Sequence, residues 1–418
     1  MKPNKYMLFF VLLLLPLLLT GCGRHFPDFS NQSGSLSTED SKPDANETDA
    51  QTVGSTETAI HISSTESSAV EDTAGQTDSS SGSDPYEARA GELLSGMSLE
   101  EKVGQMFFVR LRKASAPQDI KKYHLGGYIL FGDDFKDETQ TGIRDFIKGC
   151  QSTSPIPLLI GVDEEGGTVC RVSKYAAFRS EPFQSPQDLY KQGGFEAIEA
   201  DTKEKSAFLL GLGINVNLAP VCDVSVNPDD FIYRRSFGRE AGETADYVRT
   251  VVREMEKARM GSVLKHFPGY GSNVDTHTGA AVDTRDYKQF IQSDFLPFEA
   301  GIQAGAGSVL VSHNIVTSMD EKHPASLSRA VHDKLRESLN FKGVIMTDDL
   351  SMDAIKESTS EAAVLAITAG NDLLVATDFD VQIPAVLDAL DKGSLKEEQI
   401  DTSVIRILVW KLKLGILQ

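Results

Sequence analysis

The sequence predicts an α/β fold, a (β/α)8 barrel of the TIM type, that forms a single domain after a long disordered tether. Eight short apolar segments rich in β-forming residues alternate with stretches of helical periodicity. Together these units occupy about 330 residues, a length that suits a barrel with insertions. A doubly wound open sheet is the alternative fold that the same alternation allows.

The predicted strands are mostly apolar and are bounded by Gly, Pro or polar residues, as buried strands of parallel sheets are. They are predicted at residues 105–110, 127–131, 158–162, 216–219, 263–266, 308–312, 344–347 and 373–376. Between the fourth and fifth strands, one helix face is formed by Val248, Val251, Val252 and Met255. Gly261 is predicted to end this helix.

Residues 1–22 have the pattern of a bacterial lipoprotein signal peptide. Two lysines precede an apolar run at residues 6–19, which is too short for an ordinary membrane span. The run ends in Leu19-Thr20-Gly21-Cys22, which resembles a lipobox, where the chain is cut before the cysteine and the cysteine carries lipid. We therefore expect Cys22 to anchor the protein outside the cytoplasm, on the cell membrane. An uncleaved signal anchor is the alternative.

Residues 23–85 are predicted to form a disordered acidic tether. Ser, Thr, Asp, Glu and Gly dominate this segment, and it has too few large apolar residues to offset the entropy of ordering a chain. Its excess of acidic residues should extend it by self-repulsion. The folded domain is expected at residues 86–418, where Ser98 and Glu101 form a capping box near its start.

Composition excludes several classes of function. A net charge of −20, without a basic stripe, argues against nucleic acid as a partner. The sequence has no phosphate-binding loop, no GxGxxG after the first strand and no GxSxG, so no cofactor is expected. His and Cys residues lack ligand spacing, so no metal is expected either. No obligate protein partner is evident. Apart from Cys22, we expect buried thiols at Cys150, Cys170 and Cys222.

Polar side chains follow the predicted strands at the points where they end. Asp163 follows the third strand, Lys265 and His266 close the fifth, His313 follows the sixth and Asp348 the seventh. Active sites of barrels lie at the carboxyl ends of the strands, so these residues are predicted to meet on one rim. Helix capping is the alternative role for an aspartate at a strand end, and neutralisation of the rim carboxylates is the alternative for the lysine. For His313 the alternative is a rim residue without a functional role.

Two features have the chemistry of a hydrolase. Asp348 is a carboxylate at a strand end, and Asp275 lies two residues before His277, where it could hold one imidazole tautomer and raise its basicity. A carboxylate nucleophile with a proton donor is the minimal set for retaining cleavage of a glycosidic bond.

The motifs of residues 86–418 resemble those of glycoside hydrolase family 3, in its single-domain β-N-acetylglucosaminidase branch. They occur in the family's order: MSLEEKVGQ at 97–105, PLLIGVDEEGG at 157–167, RSFG at 235–238, KHFPG at 265–269, DTH at 275–277, PASLS at 324–328, TDDLSM at 347–352 and AGND at 369–372. The resemblance implies a TIM barrel and a β-N-acetylhexosaminidase that removes terminal β-linked N-acetylglucosamine. Cell-wall muropeptides or chitin-type oligosaccharides are the implied substrates.

The resemblance also implies roles for individual residues. Asp348 matches the nucleophile that forms a glycosyl-aspartate intermediate, and His277 matches the general acid/base, with Asp275 as its partner. The residues that match those holding the terminal sugar are Asp163, Arg171, Arg235, Lys265 and His266. In larger members of the family, a carboxylic acid from a second domain acts as the acid/base. We expect no such domain here, which favours the branch that uses histidine.

One loop departs from the family pattern. Where the branch usually reads PGHGD, this sequence has Tyr270 and Ser272, which affects the expected substrate range more than the reaction. Gly269 and Gly271 in this loop are expected to let it move His277. Alternative activities are a phosphorylase, a β-glucosidase or a β-xylosidase. A non-catalytic cell-wall-binding lipoprotein is the alternative from another class.

Overall fold

Eight parallel strands form a barrel in the computed structural model, which describes residues 84–272, 281–352, 355 and 361–418. The barrel strands are β1 Phe107–Arg110, β2 Gly127–Leu130, β3 Leu159–Val162, β4 Val216–Asn217, β5 Gly261–Phe267, β6 Ser308–Val311, β7 Val344–Thr347 and β8 Leu374–Ala376. The signal peptide, Cys22, nearly all of the tether, Asp275 and His277 lie outside the described residues.

Each strand pairs in parallel with its neighbours in the chain, and β1 also pairs with β8. A parallel bridge between Met346 and Leu373 joins β7 to β8 and closes the ring. The predicted (β/α)8 barrel is therefore confirmed, and the open sheet is wrong because such a sheet would leave two edge strands unpaired. All eight predicted strands lie within two residues of the observed bounds.

Helices surround the barrel. They are α1 Pro85–Ser95, α2 Leu99–Gln105, α3 Ala116–Tyr123, α4 Gly132–Phe135, α5 Gln140–Thr153, α6 Pro186–Gly211, α7 Ala241–Lys257, α8 Tyr287–Gln289, α9 Phe295–Gln303, α10 Arg329–Asp333, α11 Ala362–Ala369, α12 Phe379–Asp391 and α13 Glu397–Lys413. Short π-helical turns at Phe290–Asp294 and Lys334–Ser338 adjoin α9 and α10. The four predicted apolar positions of α7 are buried, and the capping box of Ser98 and Glu101 is present.

The predicted end of α7 is wrong. The helix stops at Lys257, and Arg259, with φ +55°, makes the left-handed turn in place of a glycine. Gly261 instead begins β5, where a β-carbon would lie 3.0 Å from the ring of Trp410. Its lack of a side chain thus serves packing beneath the barrel and not helix termination.

Helix α1 begins at Pro85, one residue before the predicted start of the domain, and Asp84 caps it by accepting a hydrogen bond from Tyr86 N at 3.0 Å. α1 packs against α13, which brings the two ends of the domain together. The three cysteines of the barrel are buried free thiols, as expected. Among the described residues, no helix is both long and apolar enough to cross a bilayer.

Candidate active site

A cavity of about 360 Å³ opens at the carboxyl ends of the strands. It is lined by six of the residues predicted for the site: Asp163, Arg171, Arg235, Lys265, His266 and Asp348. Closure of the barrel brings them together, since Asp163 and Lys265 are 102 positions apart in the chain and yet form an ion pair. We call this space the rim cavity.

Lys265 lies at the base of the rim cavity, between two carboxylates. Its Nζ is 2.6 Å from Asp163 Oδ1 and 2.6 Å from Glu165 Oε1, and its side chain is 2% exposed. A buried ammonium group needs such partners because its lost hydration is otherwise very unfavourable. Lys265 therefore neutralises acids and also fixes the position of Asp163, whose Oδ2 remains beside Arg171.

Glu165 was not predicted, although it binds two predicted residues. Besides Lys265, it holds Arg235 by a bidentate pair, with Nη2 at 2.8 Å and Nε at 3.1 Å from its two oxygens. Burial opposes ionisation of Glu165, but the charges of Arg235 and Lys265 outweigh it and hold its pKa well below the ordinary value. The signal in the sequence was the run of acids after β3, which is equally typical of a helix cap.

Asp223, which follows β4, organises His266. Its Oδ2 accepts hydrogen bonds from the backbone N of His266 at 3.1 Å and from the ring Nδ1 at 2.7 Å. The other ring nitrogen, Nε2, lies 3.1 Å from Arg235 Nη2, which can only donate. These partners assign the proton to Nδ1 and make Nε2 the acceptor. Sequence reasoning also missed Asp223, whose only signal was its place after a strand.

Arg171 lies on the open side of the rim cavity. Its Nε is 4.0 Å from Asp163 Oδ2 and has no hydrogen-bond partner within the described residues. Its guanidinium lies 5.9 Å from the ring centroid of Phe131, a cavity residue that the sequence did not point to. Arg171 therefore offers hydrogen-bond donors to a ligand in this cavity.

The two adjacent aspartates after β7 have different surroundings. Both carboxylate oxygens of Asp349 accept bonds within the protein, from Ser351 at 2.8 Å and from Thr377 at 2.9 Å. The backbone N of Asp349 donates to Asp348 Oδ1 at 2.9 Å. These bonds hold the Asp349 carboxylate against Ser351 and Thr377, and both aspartates line the rim cavity.

His313 supports this loop from β6. Its Nε2 is 2.9 Å from the carbonyl oxygen of Asp349, and its Nδ1 is 2.7 Å from Ser326 Oγ. The side chain is 1% exposed and lies beneath the cavity. His313 is thus brought to the site, as predicted, in a position that supports the loop and not one that lines the cavity.

Asp275 and His277 cannot be placed, because residues 273–280 are outside the described part of the chain. Tyr270, just before that segment, is buried against His266, with ring centroids 5.1 Å apart and an edge-on orientation. Within the described residues, no three His, Cys, Asp or Glu side chains are grouped as metal ligands.

Comparison with known proteins agrees with this geometry. The family model described as the glycosyl hydrolase family 3 N-terminal domain matches residues 98–409. The chain belongs to glycoside hydrolase family 3. The family predicted from the motifs is thereby confirmed, and the match covers every barrel strand.

The chain is also similar to several named proteins. The chain is 30% identical over 330 residues to the beta-hexosaminidase LpqI of Mycobacterium tuberculosis, covering 75% of this chain and 83% of the relative. A solved family 3 beta-N-acetylglucosaminidase from Paenibacillus is 29% identical with a TM-score of 0.72, over 77% of this chain and 63% of that one. The solved M tuberculosis LpqI is 27% identical with a TM-score of 0.69, over 76% and 95%.

Proposed function

We propose that this protein is a β-N-acetylhexosaminidase that removes terminal, non-reducing β-linked N-acetylglucosamine. One observation carries the proposal: Asp348 shares the rim cavity with the five residues predicted to hold the sugar. The relatives named beta-hexosaminidase and the solved beta-N-acetylglucosaminidase support this enzyme class. The cavity is concave and polar at its base, as a sugar site requires.

The reaction we propose proceeds in two steps with retention of configuration. The Asp348 carboxylate attacks C1 of the sugar, the C1–O bond breaks with its electron pair going to the leaving oxygen, and His277 gives that oxygen a proton. Water then attacks C1, His277 takes a proton from it, and the bond between C1 and Asp348 breaks. The sugar is released and the carboxylate is restored.

The ion pairs at the cavity base support recognition of the sugar. Asp163, held by Lys265, presents one oxygen as an acceptor for a hydroxyl group. His266, held by Asp223 through Nδ1, accepts from Arg235 through Nε2 and so fixes that guanidinium beside the cavity, and Arg171 presents donors. Because these groups are fixed before the ligand arrives, little ordering is needed when the sugar binds.

The N-terminal sequence supports a proposal for the location of the enzyme and for its natural substrate. The lipobox at Cys22 and the acidic tether support a lipoprotein on the outer side of the cell membrane. Cell-wall muropeptides and chitin-type oligosaccharides are substrates that an enzyme at this location would meet. We therefore propose turnover of such sugars at the cell surface.

The test is release of p-nitrophenol from its β-N-acetylglucosaminide by the full chain, with and without phosphate. Free N-acetylglucosamine in both buffers is the expected result. Sugar 1-phosphate with strong stimulation by phosphate would assign a phosphorylase instead. Turnover only of the matching glucoside or xyloside would change the substrate class, and no turnover of any of the three would contradict an enzyme of this kind.

A further inference from the structure

Phe231 lies exposed in the long loop that follows β4. It is the one exposed phenylalanine among the described residues, with 38% of its surface accessible to water. An exposed aromatic ring is informative where it lies next to a binding site, because sites for small ligands are lined largely by apolar and aromatic side chains. The position of Phe231 relative to the rim cavity therefore decides what the ring can bind.

The backbone of this loop connects Phe231 to the rim cavity. Four residues after Phe231, the same loop supplies Arg235, which lines the cavity. Two backbone hydrogen bonds turn the chain between them, from Tyr233 N to the carbonyl oxygen of Asp230 at 3.1 Å and from Arg235 N to that of Ile232 at 3.0 Å. Phe231 is therefore one short turn of chain away from a residue of the cavity wall.

A second connection runs through packed rings. His266 lines the cavity, and the ring of Tyr270 meets it edge-on with 5.1 Å between the centroids. The ring of Phe231 in turn meets Tyr270 at an interplanar angle of 60°, with 5.9 Å between the centroids. Tyr270 is 1% exposed and is one of the two residues at which its loop departs from the family pattern. It supports the Phe231 ring on one side, and the other side of that ring faces water.

The part of the loop that carries Phe231 is held in place by its neighbours. Ile232 is fully buried in a small apolar cluster that includes Tyr270. On the other side of Phe231, the Asp230 carboxylate accepts a hydrogen bond from Ser225 Oγ at 2.7 Å. A ring that is already positioned loses little conformational freedom when a ligand packs against it.

The proposed reaction places the second sugar of a substrate on this side of the cavity. In a displacement at C1, the leaving oxygen departs from the face opposite to the nucleophile, Asp348. Asp348 follows β7, and the loop after β4 lies nearly across the ring of eight strands from it. The second sugar therefore leaves the cavity on the side away from β7, where Phe231 lies.

We propose that Phe231, supported by Tyr270, is a platform for the second sugar of an oligosaccharide substrate. This inference rests on the proposed function, in which the terminal sugar fills the rim cavity and the rest of the substrate lies around its opening. A β-linked N-acetylglucosamine ring has equatorial substituents, so both of its faces present C–H groups that an aromatic ring can cover. Contacts of aromatic rings contribute more than the area they bury. Phe231 therefore favours oligosaccharides over glycosides with a small aglycone.

Substrates with and without a second sugar test this proposal. Chitotriose places sugars outside the cavity, whereas the methyl β-N-acetylglucosaminide places only a methyl group there. We expect Phe231→Ala in the full chain to lower kcat/KM about fivefold or more for chitotriose and less than about twofold for the methyl glycoside. Phe231→Tyr, which keeps the ring, should retain wild-type values on both. Initial rates of N-acetylglucosamine release, followed by chromatography, measure all of these.

Tyr86 provides a matched control at the other end of the barrel. It is an aromatic residue on α1 with a similar exposure of 41%, and it borders a surface cavity together with Gly261, the first residue of β5. Tyr86→Ala removes an exposed ring of about the same size far from the carboxyl ends of the strands. Its kcat/KM should keep the wild-type ratio between the two substrates.

Equal losses on both substrates with Phe231→Ala, or no loss on either, would overturn the inference. If Phe231→Ala does not fold, Phe231→Leu, which keeps an apolar side chain without a flat ring, must show the selective loss on chitotriose. If the wild type releases N-acetylglucosamine from neither substrate, it is the proposed function that fails. If the wild type cleaves both and the variants without the ring keep its ratio of kcat/KM values, only the inference about Phe231 fails.

Discussion

Glu165 shows at the scale of one residue how the site is built from buried charges. It is 3% exposed on its side chain and is the common partner of Arg235 and Lys265. We expect Glu165→Gln to lower the free energy of unfolding by about 3–5 kcal/mol, because it leaves the buried Arg235 without its counter-charge and Lys265 with Asp163 alone. Urea unfolding followed by circular dichroism measures this.

Glu243→Gln is the control for that substitution. Glu243, in the first turn of α7, pairs with Arg239, which precedes the helix, and both side chains are more than a third exposed. An exposed pair of this kind contributes about 0.2–1 kcal/mol. Similar losses from the two variants would contradict a structural role for the charge of Glu165.

Asp348 and His277 carry the chemistry in the proposed reaction. We expect Asp348→Asn to abolish turnover while leaving the fold intact, because an amide is too weak a nucleophile to form the intermediate. His277→Ala should lower kcat by about 10² or more, the usual contribution of general acid–base catalysis. Steady-state rates on p-nitrophenyl β-N-acetylglucosaminide measure both, and near-normal activity in either variant would be incompatible with the mechanism.

At the scale of elements, α13 carries a buried lysine that the reaction does not use. The Nζ of Lys411 lies 2.7 Å from Gln105 Oε1, and burial lowers its pKa from 10.5 to about 7. Between these two values the unfolded chain binds a proton that the folded chain does not, so stability falls as pH falls from about 10.5 to about 7. Below that window the full penalty for a buried ammonium is present.

Lys411→Met should remove this dependence on pH. The free energy of unfolding of the variant, relative to wild type, should be higher at pH 7 than at pH 9 by at least about 1 kcal/mol. Urea titrations at the two pH values measure the difference. Lys413→Met, on the same helix but with a side chain that is 51% exposed, should show none. A constant difference for Lys411→Met would mean that the amine keeps its ordinary pKa.

For the whole molecule, the contact between α1 and α13 indicates where the folded domain begins. Ala90 and Leu94 are buried, and Arg89 donates to the C-terminal carbonyl oxygen of Gln418 at 3.3 Å. We expect residues 84–418 to form a soluble enzyme with the kcat/KM of the full chain. A fragment that begins at Met97 should unfold at a lower temperature, because it exposes the face of α13 that α1 covers.

The proposed lipid anchor at Cys22 is tested with a variant of the full chain. Cys22→Ser should move the protein from the membrane fraction to the soluble fraction with kcat/KM unchanged, because the lipid and not the barrel would hold it there. Fractionation of cells measures the move of the Cys22→Ser variant, and thermal unfolding measures the stability of the fragment that begins at Met97. An inactive but folded 84–418 fragment would assign the tether a role beyond spacing.

Much of the fold and part of the site could be read from local patterns. The positions of all eight strands follow from short apolar runs, and Asp163, Lys265, His266 and Asp348 follow from their places at strand ends. These inferences succeed because strand burial and the location of active sites in barrels depend on features within a few residues of each other. The prediction that Gly261 ends α7 was wrong because a residue other than glycine, Arg259, takes the left-handed conformation after the helix.

Tertiary structure alone decided which acids organise the site. Glu165 and Asp223 are ordinary residues after strands until barrel closure brings Lys265, Arg235 and His266 to them from other strands. The hydroxyl group of Thr377, which follows β8, likewise reaches Asp349 only when the barrel closes. The sequence by itself determined the barrel, the family and the order of the chemical groups. The ion pairs and the histidine tautomer of the site depended on closure of the barrel, because the protonation state of a buried group is set by the groups packed against it.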